Sequence, residues 1–120
     1  MNRITLEDLQ EICLALPGVT TDIKWEEHLC FNIGAKMFLA TSPDRVPVSA
    51  SFKTTPEEFE VLTGREGIHP ASHVGRYHWV HVDSLDRLTK AEWEAYIHES
   101  FRLVASKLSG KLRKELGIGF

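Results

Sequence analysis

Little in this chain invites a covalent or metal-based reading. Its two cysteines, Cys13 and Cys30, stand in apolar stretches on different expected elements, with no Cys-x-x-Cys or Cys-x-x-His pattern at either. That excludes a thiolate zinc site and leads us to expect two buried free thiols. No Gly-x-Ser-x-Gly elbow is present, and Gly64-Arg65-Glu66-Gly67 lacks the lysine and the strand-to-helix setting of a phosphate loop. No apolar run approaches a membrane span, and Met1 to Thr5 runs directly into an amphipathic pattern without an apolar leader. A cytoplasmic protein that does not enter the membrane is expected. A basic excess is also lacking. Fourteen Lys and Arg against 17 Asp and Glu give a net charge of −3, which is not the footprint of a dedicated nucleic-acid binder. We expect no catalytic residues, no metal and no cofactor, and so no enzyme.

What is present is a regular alternation of helix and strand signals in a chain of 120 residues, enough for one core. Leu6, Leu9, Ile12, Cys13 and Leu16 recur at helical spacing, with Thr5 and Asp8 as a capping box and Pro17-Gly18 as the stop. Trp25 to Ile33 alternates as a strand, Gly34-Ala35-Lys36 turns, and Met37 to Thr41 returns. Val46, Val48, Ala50 and Phe52 line one face of a third strand, with Pro47 near its opening. Thr55-Pro56-Glu57-Glu58 opens a second helix. A fourth strand runs from about Tyr77 to Val82. Thr89-Lys90-Ala91-Glu92 starts the longest helix, whose buried stripe is Trp93, Ile97, Val104 and Leu108 with Tyr96 and Phe101 beside it. Gly110 interrupts it, and Lys111 to Leu116 adds a short helical turn. The expected fold is α+β in one domain over residues 1–120, in the order α-β-β-β-α-β-α. An antiparallel sheet carries helices mainly on one face, and a short basic C-terminal extension begins at about residue 109.

The segment "HPASHVGRYHWVHV", residues 69–82, holds four of the six histidines. A metal needs several ligands converging at about 2 Å. His69 and His73 have helical spacing, but Pro70 and Gly75 oppose a helix there. His78 and His81 lie three apart on a strand and face opposite ways. His28 could join them only from another strand. These histidines are therefore not expected to meet, and no metal is assigned to them.

Phosphate contacts have clearer candidates. Lys53, Arg76 and the acid-free run containing Lys107, Lys111, Arg113 and Lys114 could meet a nucleic-acid backbone. Tyr77 and Trp79 would share a strand face with His81 and could stack on bases if that face is open. Against this, strand aromatics are usually core, and terminal Lys and Arg usually solvate a helix end.

Five segments in order resemble the MmcQ/YjbR family over nearly the whole chain: "CLALPGV" at 13–19, "FNIGAKMFLA" at 31–40, "SFKTTPEEFEVL" at 51–62, "HPASHVGRYHWVHV" at 69–82 and "HESFRLVASKLSGKLRK" at 98–114. The position after Pro-Ala-x, often aromatic in that family, is His73 here. The resemblance implies a strongly bent antiparallel sheet backed by helices, in a double-wing arrangement. It also implies a DNA-binding label with no established catalytic residues. The leading expectation is a small non-enzymatic domain making sequence-independent contacts to DNA phosphates. A protein-interaction or self-association module using the sheet surface, as in a homodimer, is the alternative. A small-molecule or metal site at the histidine-rich loop comes third.

Overall fold

A computed structural model describes residues 4–24, 27–72 and 74–120, without the side chain of Arg76. Trp25, where the first strand was expected to open, and His73 lie outside the described residues. The helices are α1 (Leu6–Leu14), α2 (Pro56–Thr63), α3 (Lys90–Ala105) and α4 (Gly110–Glu115), and the strands are β1 (Thr20–Lys24), β2 (His28–Ile33), β3 (Lys36–Ser42), β4 (Ser49–Lys53), β5 (Ile68–Pro70) and β6 (Trp79–Val82). The strands form one antiparallel sheet in the order β1-β2-β3-β4-β6-β5. The fold is thus α+β, with an antiparallel sheet and helices against it.

Three helix starts follow the Thr-x-x-acid pattern. Thr5 with Asp8, Thr55 with Glu58, and Thr89 with Glu92 each exchange reciprocal side-chain-to-backbone hydrogen bonds. Each pair satisfies amides that would otherwise lack partners in the first turn, worth about 1 kcal/mol per cap.

The sheet is larger than the sequence pattern suggests. Residues 20–24 were expected to be loop; Thr20, Thr21, Asp22 and Ile23 are all exposed, so no alternating burial marks the strand. They form β1, a terminal strand of the sheet, paired only with β2. His69-Pro70 was also expected to be loop, yet β5 pairs there with β6. A proline is tolerated because β5 is the other terminal strand and its outer side needs no donor. Two further boundaries move. Val46 is 99% exposed, and β4 begins only at Ser49, after Pro47, which has no N–H for the ladder. Tyr77 lies in a 3₁₀ turn, Gly75–Tyr77, and His78 takes a left-handed φ of 66°. This breaks the strand alternation, so β6 starts at Trp79.

One face of the sheet is apolar and covered by helices. Cross-strand rows Phe31–Leu39–Phe52–Val80 and Leu29–Thr41–Ala50–Val82–Ile68 run along it. Trp93, Ile97, Phe101 and Val104 of α3 are buried in the same core. Phe52 meets Trp93 edge-on at 5.6 Å and stacks near Tyr96 at 5.7 Å. The register between β2 and β3 slips at Phe31/Asn32, leaving Phe38 as the extra residue of a bulge. Phe38 is fully buried beside Leu39 and packs edge-on against Phe101, 5.5 Å away.

Ser100 of α3 fastens this bulge. Its hydroxyl donates to the Phe38 carbonyl at 2.6 Å and accepts the Lys53 amide at 3.0 Å. The residue is completely buried. Past α3, Ser109 caps α4, which lies over the β2–β3 turn. There Gly34, at φ 57°, leaves no room for a side chain under Leu108.

Removing the Ser100 hydroxyl strands a buried carbonyl and a buried amide at once. Ser100→Ala is expected to lower unfolding free energy by about 2–4 kcal/mol, read as a lower urea midpoint at unchanged slope.

Candidate functional site

The sheet face away from the core is built of short side chains. Alternation on β3 and β4 places Ala40, Ser42, Ser49 and Ser51 there, in register with one another. Larger residues surround them: His28 lies opposite Ser42 from β2, and His81 and His69 extend the Ser51 row across β6 and β5. Trp79 stands beside Lys53 in the next row. Small residues in the middle and large ones around them leave a hollow. Pro70, Ala71, Ser72 and Val74 wall one side, and Arg45 reaches it from the β3–β4 turn. The cavity is about 560 Å³, within the size range of small-molecule sites.

The polar contacts here are specific. The Ser51 hydroxyl lies 2.9 Å from His81 Nδ1, and the Ser42 hydroxyl 3.2 Å from His28 Nδ1. The His69 and His81 rings stack with centroids 6.0 Å apart and planes 21° apart. His28 Nε2 lies 3.5 Å from the Glu27 carboxylate. Ser49 is 1% exposed, and its hydroxyl oxygen has no hydrogen-bond partner among the described residues. Burial holds the His81 pKa below its ordinary value; the nearby charges of His69, Arg45 and His28 push the same way, against Asp83.

The expectation that the histidines stay apart is therefore corrected for two of the four. His69 sits on a strand directly opposite His81, because β5 is formed where a loop was expected. His78 does not join them; its ring packs edge-on against Phe59 at 5.5 Å. His28 enters the hollow from β2. Among the described residues, no group of three or more His, Cys, Asp or Glu is placed to hold a metal. The signal missed in the sequence was the alternation of Ala and Ser in "LATS" and "SAS", which hollows the open face.

The phosphate-contact candidates are partly gathered. Lys53 Nζ donates to the Tyr77 carbonyl at 3.0 Å, and Lys53 pairs across the sheet with Trp79. Burial lowers the Lys53 pKa, and the charge of Lys107 lowers it further. Tyr77 is half exposed, whereas Trp79 is 8% exposed and forms part of the cavity wall rather than an open stacking surface. Tyr77 and Trp79 do not share a strand face, since Tyr77 precedes the strand. Lys111 and Lys114 are exposed on α4. Arg113 donates to the Ser106 carbonyl at 3.1 Å and serves the α3–α4 junction. Cys13 and Cys30 are buried free thiols, and burial pushes the Cys13 pKa up to about 12. Such a thiol is a poor nucleophile.

Comparison with known proteins gives a consistent result. The YjbR family model matches residues 14–103. A crystal structure of a Deinococcus radiodurans protein with the DUF419 domain superposes with a TM-score of 0.87 at 30% identity, covering 97% of this chain and 90% of that one. A Pseudomonas syringae protein of known structure superposes with a TM-score of 0.68 at 21% identity, covering 83% of this chain and 98% of that one; this second likeness speaks to the fold alone. No curated protein matches the chain. Among the described residues, no helix is long and apolar enough to cross a membrane.

His81 gives a pH test of this geometry. Its folded-state pKa lies below the ordinary 6.5, so the unfolded chain binds more protons in that range. The stability contributed by neutral His81 is complete above the unfolded value and is lost as pH falls through the folded one. Urea midpoints are expected to fall across this window, before the carboxylates titrate, and His81→Asn is expected to flatten that decline.

Proposed function

Since the chain belongs to the YjbR family, we propose that it is a non-enzymatic DNA-binding domain that contacts phosphate through its basic end. The observation that carries this reading is the exposure of Lys107, Lys111 and Lys114 in a run without an acid between them. Lys53, whose pKa burial lowers and the charge of Lys107 lowers further, adds a cation whose charged form a phosphate would favour. Contacts of this kind read phosphate and not sequence. With a net charge of −3, the affinity rests on the local cluster and fades quickly with salt.

The non-enzymatic part is supported by the lack of a Gly-x-Ser-x-Gly elbow in the sequence and by the burial of both thiols, which makes Cys13 a poor nucleophile.

A second reading is an interaction module that adds a strand at β1. That strand ends the sheet, and its Ile23 is 58% exposed. An edge of this kind accepts an extended segment of a partner or of a second copy.

Fluorescence anisotropy with short duplex DNA, titrated over a range of salt, tests the leading reading. Binding at low salt is expected, falling linearly on a log–log scale. Lys53→Gln with Lys107→Gln should reduce the slope by about 2, close to 0.9 for each lost phosphate contact. Absence of binding at low salt, or a slope unchanged in the double variant, would overturn it. A dimer in sedimentation, in a protein that ignores DNA, would favour the second reading.

A further inference from the structure

We propose that the hollow on the open sheet face is a binding site for a small organic anion, a carboxylate or phosphate ester carried on a compact apolar body. This inference stands apart from the DNA reading, which uses the basic end of the molecule.

Its first support is the chemistry of the lining. The ionisable side chains that line the 560 Å³ cavity among the described residues are all of the cationic type, Arg45 and the histidines 28, 69 and 81; Glu27 and Asp44 stand beside Arg45 and His28 in the adjoining recess and not in this one. The second support is the placement of the imidazoles. Ser42 and Ser51 are each engaged with a histidine, so the His28 and His81 rings are held beside the Arg45 guanidinium. An anionic oxygen is the partner that such a set suits.

The remaining wall specifies the rest of the ligand. Trp79, Met37, Ala40 and Ala71 add apolar surface among the polar groups. A single charged head with a flat or short apolar body uses both kinds of surface, whereas a bare inorganic ion leaves the apolar part unused. Arg45 is exposed at the rim, where it can draw the charged head in without itself being desolvated. The His81 imidazole is fixed by Ser51, and His69 is stacked on it, so these groups are already arranged before a ligand arrives.

The test uses the full-length protein with four probes of one shape: benzoate, phenyl phosphate, benzyl alcohol and benzylamine. Amide chemical-shift mapping and calorimetry report where and how tightly each binds. At least one anion is expected to shift the amides of Ser49, Ser51 and His81 and to bind about tenfold tighter than the alcohol. The preference between benzoate and phenyl phosphate identifies the head group. Arg45→Ala, at an exposed position that leaves folding unaffected, should weaken the anion about tenfold. Equal affinity for benzyl alcohol, no effect of Arg45→Ala, shifts confined to Lys53 and Lys107, or no shift at millimolar anion would each overturn the proposal.

Discussion

One hydroxyl, that of Ser100, holds the helix layer to the sheet. A polar atom in a completely dry interior is tolerable only when both its donor and its acceptor capacity are used. Ser100 uses both, on the Phe38 carbonyl and the Lys53 amide. Those two groups lie on adjacent strands at the place where a bulge has disrupted the regular ladder. The helix thus supplies the hydrogen bonds that the bulge withdraws. The bulge in turn sends Phe38 toward Phe101, so that neighbouring residues of one strand, Phe38 and Leu39, are both buried. Registration of α3, the extra aromatic of the core and the end of β4 follow from the same contact.

The two faces of the sheet follow different rules. On the covered face large apolar residues meet across the strands. On the open face the middle of the sheet is Ala and Ser, and bulk returns around it at the histidines, Met37, Lys53 and Trp79. Had Ala40 or Ser51 been a leucine, that face would be a plain half-buried surface. The fastening at Ser100 also bears on it indirectly. The Lys53 amide is held by α3 while the Lys53 side chain leaves on the opposite side, beside Trp79. The basic end and the hollow are therefore neighbours across one row of the sheet, although they offer different chemistry: point charges at the surface, and oriented donors in a recess.

Much of this was legible in the sequence. The three Thr-x-x-acid starts marked helices to the residue, because a capping box is a local arrangement and needs no knowledge of the rest of the chain. The stripe of Trp93, Ile97 and Val104 was readable for a related reason, since helical periodicity reports burial directly; Leu108 is buried as expected, but beyond the end of α3 at Ala105. The terminal strands were not readable. Thr20–Lys24 buries neither face, so nothing in its side chains records that its backbone is paired. Ile68–Pro70 is too short for any period and carries a proline. The meeting of His69 and His81 was hidden with it, since cross-strand neighbours are set by register and register here depends on a strand that leaves no pattern. His78 misled differently: a left-handed residue that is not glycine ended an alternation that looked continuous.

The order of strands has a further consequence, for how the hollow comes into being. β1 to β4 follow one another in sequence as a meander, each pairing with the next. The chain then leaves the sheet after Lys53 and regains β4 only at Trp79, having made α2 and β5 on the way. Closing that long excursion carries more loop entropy than any turn of the meander. The seam between β4 and β6 is thus the non-local joint of the molecule, and the hollow straddles it. Ala40, Ser42, Ser49 and Ser51 belong to the meander, whereas His69, Trp79 and His81 belong to the returning hairpin. A molecule lodged between them would act as a clasp on that joint. Its occupancy would be coupled to the opening of β5 and β6 away from β4, an excursion smaller than unfolding of the whole domain.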